Sequence, residues 1–468
     1  MTYFLNLVEE VNSAINNVVW GPVMLVLLVG TGIFITFRTG FFQVTKFGHM
    51  IKSTLGGIFD KDESKKRPGM VTPFQAMTTA IAATVGVGNV AGVATAIVSG
   101  GPGAVFWMWV SAFFGMMTKY AEILLAMKYR VKDEHGVSHG GPMYYIERGL
   151  KMKWLAVLFC FFGALACFGI GNMNQSNEIA AAMNKTFGLS PLVTGIITAV
   201  LVALVIIGGI TRIGKVTEIV VPFMALFYII GGAIALIMNA SQIPEAMRQI
   251  FAGAFSMRSV GGGIMGYAVV RAMRYGFARG VFSNEAGLGS APIAHSAADT
   301  NNPVSQALWG IFEVFVDTII ICTITALVVV TSGLAGVLTD ASGKIVSGGA
   351  LTSAAYEAVL GPLGGTFVSI AIIFFAASTI LAWSYYGQQC IGYITKGNKA
   401  VDMAFKLVFI CFIVVGALGQ LSLIWDISDT LNGMMAIPNL IALIALSGVV
   451  FKTTKDYIRN PDSVKMKE

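Results

Sequence analysis

Two glycine-rich runs interrupt apolar stretches of this 468-residue chain. The first reads Ala82-Ala83-Thr84-Val85-Gly86-Val87-Gly88-Asn89-Val90-Ala91-Gly92. The second reads Arg279-Gly280-Val281-Phe282-Ser283-Asn284-Glu285-Ala286-Gly287-Leu288-Gly289-Ser290-Ala291-Pro292. Each glycine weakens a helix by about 1 kcal/mol relative to alanine. A helix that opens there frees main-chain N–H and C=O groups. Freed N–H groups at a half-helix N-terminus suit a carboxylate, and freed carbonyls suit an ammonium or a small cation. For one glycine pair, close helix packing is the plainer reading. Two such runs, each beside hydroxyl and amide side chains, favour binding.

Ionisable residues inside apolar stretches are the other candidates, because charge at membrane depth is costly. Glu122 follows Lys119 by three residues, which predicts an intrahelical pair. Arg271, Arg274 and Arg279 precede the second run. They are expected to line an outer vestibule or to pair with acids such as Glu313 and Asp317. Glu285 could orient the opened backbone or relay a proton. Asn172, Asn174, Gln175 and Asn177 close the fourth span and read as an outer loop, with contact to a substrate gate as the alternative. His49, His135, His139 and His295 are scattered without metal-ligand spacing. The five cysteines form no CxxC pair and read as small core residues. Nothing resembles a Walker A loop, an HExxH helix or a Ser/His/Asp set, so no enzyme chemistry is expected.

These residues need apolar helices to position them. The chain is 56% hydrophobic and only 12% charged, against roughly 25% charge in soluble domains. Its mean hydropathy is +0.75, more apolar surface than one soluble core could hide. A bilayer crossing takes about 20 apolar residues, which gives about 11 candidate spans. They lie near 19–38, 71–98, 102–128, 154–172, 191–210, 217–239, 262–298, 304–333, 363–390, 402–419 and 430–451. The first residues carry Glu9 and Glu10 and no basic n-region, so no cleavable signal is expected. Lys and Arg crowd one set of loops, including the run 60–67. The opposite loops hold only Lys185, Arg248, Arg258 and Lys344. That bias predicts an outside N-terminus and a cytoplasmic C-terminal tail, and it accounts for the net charge of +7 without nucleic acid. Two interrupted spans in corresponding halves of a chain point to a transport site.

The run Gly100-Gly101-Pro102-Gly103-Ala104-Val105-Phe106-Trp107-Met108-Trp109-Val110-Ser111-Ala112-Phe113-Phe114-Gly115 resembles the signature of the alanine/glycine:cation symporter family. Asn284 to Pro292 resembles a second hallmark, and the likeness runs along essentially the whole chain. It implies an all-α membrane protein of the LeuT type. One extra N-terminal helix (within 1–70) would precede two inverted five-helix repeats, 71–239 and 259–452, with 453–468 as the tail. It further implies a symporter in the cell membrane that couples Na+ entry to uptake of a small neutral amino acid, alanine or glycine. Alternatives are H+ coupling, exchange, another neutral substrate such as glutamine or serine, or a channel. No cofactor beyond the coupling ion is implied. By that resemblance, Thr84, Gly86, Val87 and Gly88 would hold the substrate carboxylate. Phe282, Ser283, Asn284 and Gly287 would face the amino group and side chain. Sodium would lie between Ala82 and Val85 carbonyls and the hydroxyls of Ser378 and Thr379. Asn89 and Ser283 would be the polar members of a second ion site.

Overall fold

The computed structural model describes residues 2–56, 69–133, 136–255, 264–340, 342–419 and 422–466. The basic run 60–67, His135 and Arg258 lie outside them. Helix α1 (Thr2–Val19) meets α2 (Pro22–Arg38) at Gly21. The first interrupted span comprises α3 (Pro73–Thr84) and α4 (Gly88–Gly100), bent by 46°. Then come α5 (Gly103–Tyr129), α6 (Lys153–Phe187), α7 (Pro191–Ile206) and α8 (Gly209–Met238). The second interrupted span is α9 (Ile264–Asn284) and α10 (Ala291–His295). The chain ends with α11 (Pro303–Thr331), α12 (Pro362–Ile394), α13 (Lys399–Leu418), α14 (Ser422–Ala445) and α15 (Ser447–Arg459).

Eight of the helices among the described residues are long and apolar enough to cross a membrane, and nine if the bent pair is one span. The other two expected spans fall short for physical reasons. Helix α7 is apolar but has only 16 residues. Helix α9 has 21 residues but carries Arg271, Arg274 and Arg279. The outer-loop reading of Asn172 to Asn177 is overturned, because these residues continue helix α6 to Phe187.

Burial sorts centre from rim. In α5, 83% of the most apolar stretch is buried, against 28% in α8 and α13. Helix α5 packs chiefly against α9 and α11. The exposed side of α8 is a row of Ile219, Phe223, Leu226 and Ile230, a lipid-facing pattern. Among the described residues, three stretches widen to π-helical turns: Gly88–Gly92, Gly169–Met173 and Phe315–Cys322.

Local chemistry explains the ends of the first broken span. Thr72 and Gln75 cap α3 reciprocally, with Gln75 N donating to Thr72 Oγ1 at 3.1 Å and Thr72 N to Gln75 Oε1 at 3.2 Å. Pro73 occupies the first helical turn, where its missing N–H is harmless. Val71 N also donates to Ala297 O (3.2 Å), and Asp299 N to Val71 O (2.8 Å). The start of α3 is thereby tied to the chain just past α10.

Candidate functional site

At the first interruption the main chain changes partners. In a continuous helix Gly86 N would donate to Ala82 O. Instead Gly86 N donates to Asn89 Oδ1 at 2.9 Å. Ala82 O accepts from Thr379 Oγ1 at 2.9 Å, and Ser378 Oγ lies 3.5 Å away. Both hydroxyls also lie 2.9 Å from Phe375 O. A hydroxyl has one proton, so Thr379 can donate to only one of its two carbonyls at a time. Val85 has φ −79° and ψ 85°, which turns its carbonyl out of the helical ladder. A cluster of neutral oxygens from α3 and α12 results, and hard cations prefer oxygen ligands. Gly86 is required for the approach, since a Cβ there would sit 2.6 Å from Thr379 Oγ1.

The two interruptions meet through Gly88, whose added Cβ would lie 3.2 Å from the Phe282 ring and 3.6 Å from Ser283 Cα. Asp317, on the widened turn of α11, bridges them. Asn89 Nδ2 donates to Asp317 Oδ1 at 2.6 Å, and Ser283 Oγ donates to Asp317 Oδ2 at 2.9 Å. Thr318 Oγ1 adds a third donation, at 2.7 Å. Asn284 Nδ2 donates to Thr318 Oγ1 at 3.1 Å. Thr84, Val87, Asn89, Phe282, Ser283, Asn284 and Asp317 are all buried. The Thr84 hydroxyl turns back onto its own helix, 3.3 Å from Ala80 O and Ile81 O.

Gly287 sits in a different cluster. It has φ +98° and Gly289 has φ +81°, conformations that favour glycine. Their two N–H groups donate to Glu122 Oε1 at 3.0 and 3.1 Å. Asn439 Nδ2 donates to the same oxygen (2.5 Å) and to Gly287 O (2.9 Å). Between these glycines and α9, Glu285 has φ +57°, a strained conformation for a non-glycine residue. Its carboxylate holds the opened backbone against α12, accepting from Trp383 Nε1 at 3.0 Å and Ser290 Oγ at 2.5 Å.

Several sequence expectations are corrected here. Lys119 does not pair with Glu122. Its ammonium donates to Asn284 O at 2.9 Å and forms an ion pair with Glu313 Oε2 at 3.0 Å. The backbone ends at the break outcompete the neighbour on the same helix, because a buried carbonyl or N–H must find a partner. Glu313 also meets His295 Nε2 at 2.5 Å, and Gln306 Nε2 meets His295 Nδ1 at 2.7 Å. The arginines reach neither Glu313 nor Asp317. Arg271 Nη2 donates to Ser99 O at 2.5 Å, Arg274 Nη2 to Asn17 Oδ1 at 3.1 Å, and Arg279 lies 3.8 Å from Asp429. Arg279 also stacks over the Phe282 ring at 5.3 Å. Asn172 and Asn174 are buried rather than in a loop, with Asn172 Nδ2 donating to Phe409 O at 2.7 Å.

Trp383 and Asn439 carry no local mark of membership in the site, and Glu122 and Asp317 stand in the sequence only as candidates for pairing with a basic residue. A lone carboxylate in an apolar run was the available signal for Asp317. Four cysteines are buried, and Cys411 is exposed. Among the described residues, no group of three or more His, Cys, Asp or Glu could hold a metal ion.

A sequence profile described as the sodium:alanine symporter family matches residues 5–468. A protein of Methanococcus maripaludis named sodium/alanine symporter AgcS is 51% identical over 97% of this chain and 97% of its own length. An uncharacterized transporter of Haemophilus influenzae is 46% identical, covering 97% of this chain and 96% of its own. Among solved structures, MhsT in complex with L-phenylalanine superposes with a TM-score of 0.57 at 12% identity, over 84% of this chain and 99% of that one. At that identity the likeness speaks for the fold alone, which is of the LeuT type. On the match along its length and its identity to these relatives, this chain belongs to the sodium:alanine symporter family.

Proposed function

We propose that the chain is a secondary active symporter, coupling sodium entry to uptake of a small neutral amino acid, alanine or glycine, by alternating access. One observation carries the reading. Two interrupted helices meet in a buried cluster, and at the first of them the main-chain groups are held by neutral side chains that a ligand can replace. Sodium, as cargo, would take the Ala82 and Val85 carbonyls with Ser378 and Thr379. Phe375 O is the nearest further carbonyl. The amino acid would bind between Thr84, Gly86, Val87 and Gly88 on one side and Phe282, Ser283 and Asn284 on the other. Phe282 limits the side chain, because its ring already touches the Gly88 position. Gly287 drops out of this set, since Glu122 and Asn439 occupy its peptide groups.

Sodium bound first would pin α3 to α12 and fix the first interruption, completing the carboxylate site. The coupling is reciprocal: what sodium adds to substrate affinity, substrate adds to sodium affinity. The protein would sit in the cell membrane with its N-terminus outside and its tail in the cytoplasm. The segments 71–239 and 259–452 would form the two inverted repeats, and the loaded core would rock to face the cytoplasm.

The buried Asp317 carboxylate favours a second reading, in which a proton or a second cation binds with Asn89 and Ser283. Uptake of radiolabelled alanine and glycine into proteoliposomes separates the two. Accumulation driven by a sodium gradient at equal pH supports sodium coupling. Accumulation that follows only a pH gradient supports the proton, and equilibration under every gradient refutes symport.

A further inference from the structure

We propose that the groove between the end of α2 and helix α15 binds one anionic phospholipid, with its phosphate among Arg38, Lys452, Lys455 and Arg459 and an acyl chain along α2. The inference does not depend on the transport reading.

Helix α15 is fastened on one side. Tyr120 and Thr454 hydroxyls meet at 2.9 Å, Lys128 Nζ donates to Thr453 Oγ1 at 3.0 Å, and His49 Nε2 meets the Tyr457 hydroxyl at 2.9 Å. The other side is exposed and carries Lys452, Lys455 and Arg459. With Arg38 they line a cavity of about 620 Å³ that also contains Phe451 and Ile458 but no carboxylate. The acid nearest in sequence, Asp456, lines a separate cavity with Lys128 and Lys465. Four cations around a concave space with no internal counter-charge call for an anion.

The apolar half identifies the anion as a lipid. Next to the basic cavity lies a groove of about 430 Å³ lined by Val23, Val26, Leu27, Gly30, Phe34 and Ile444. The two share a wall, because the Phe34 and Phe451 rings meet edge to face at 5.5 Å. Arg38 stands one helical turn beyond Phe34, with its guanidinium 5.2 Å from the Phe451 ring centre. From Phe34 back to Val23 the helix rises about 16 Å, room for most of an acyl chain. A free phosphate would use the basic end alone. Basic pockets beside spanning helices are suited to anionic headgroups.

The test uses the full-length purified chain in detergent supplied with phosphatidylglycerol, phosphatidylcholine or glycerol 3-phosphate. Bound lipid is read by native mass spectrometry and folding by thermal unfolding. The wild type should retain phosphatidylglycerol over phosphatidylcholine by about tenfold or more. The combined Arg38→Gln, Lys452→Gln, Lys455→Gln and Arg459→Gln variant should lose that preference and stay folded, since all four residues are exposed. A Cβ at Gly30 meets nothing within 4 Å. Gly30→Leu should therefore fold, fill the groove and weaken phosphatidylglycerol retention. Equal retention of the two lipids, or an unchanged preference in the quadruple variant, overturns the site. Glycerol 3-phosphate binding as tightly as the lipid, with lipid retention indifferent to Gly30→Leu, would make free phosphate the ligand and overturn the lipid assignment.

Discussion

At the first interruption the loose backbone is held by neutral groups: Gly86 N by the Asn89 amide and Ala82 O by the Thr379 hydroxyl. At the second it is held by ionisable side chains. Lys119 caps the carbonyl end of α9 at Asn284, and Glu122 fills the ring of N–H groups at Gly287 and Gly289. Both side chains come from α5, about one turn apart, the Lys119 ammonium at the carbonyl end of α9 and the Glu122 carboxyl oxygen at the N–H groups of the turn that follows. A neutral hydroxyl can give way to a cation by turning its proton aside. A tethered ammonium and carboxylate stay where they are. The first interruption is thus fitted for exchange with ligands and the second for fixed geometry, even though their glycine content looks alike in the sequence.

Substitutions can break this contrast. The largest effect is expected from Lys119→Met, which leaves Glu313 buried without its ammonium partner and should destabilise by about 3–5 kcal/mol. Thermal unfolding in detergent reads it, and adding Glu313→Gln should recover part of the loss. A neutral outcome for Lys119→Met would mean the second interruption does not need its charges. Glu122→Ala should cost about 1–3 kcal/mol by stranding the Gly287 and Gly289 N–H groups, with Glu122→Gln closer to wild type. If Glu122→Ala changed sodium activation while leaving stability intact, the fixed-versus-exchangeable distinction would fail.

Two further changes sharpen the other side. Gly86→Ala forces the Thr379 hydroxyl away and should weaken apparent sodium affinity about tenfold, equivalent to about 1.4 kcal/mol. Sodium-dependent uptake in proteoliposomes measures it. The Ser378→Ala, Thr379→Ala pair should alter unfolding by only about 1 kcal/mol while shifting sodium activation more than protein yield. Sodium activation unchanged in that double variant would remove α12 from the ion site. Cys411→Ser serves as the baseline: the residue is exposed, and both unfolding and uptake should match the wild type to within about 0.5 kcal/mol.

The sequence was most readable where a single segment carries the information. Glycine clustering located both interruptions, and the helix ends fall at Thr84 and Asn284, inside the two runs. Apolar length located the spans, except that α7 is too short and α9 too charged to match the expected crossings, and that α6 carries its amides past Asn172 without a break. The meeting of Ala82 with Ser378 and Thr379 followed from the family likeness and not from any local pattern. What stayed hidden were partnerships between distant segments. Nothing near Asp317 announces that its carboxylate meets residues 228 and 34 positions away. Lys119 and Glu122 misled for the same reason: spacing on one helix predicts their mutual reach, but the stronger demand came from another helix's exposed ends.

The widened turns have a consequence for chain length. Across Phe315–Cys322 the coil accommodates more residues per turn than an α-helix. Deleting one residue there would let the coil tighten to an α-helix, keeping the two flanks in step but turning the residues inside the stretch to new directions. The Asp317 carboxylate would then lose its aim at Asn89 and Ser283, although every side chain that bonds it would still be present. The residue count of this segment is therefore itself a functional constraint, and a one-residue gap there should be far less tolerated than one in the hairpin joining Val131–Lys132 to Ser138–His139.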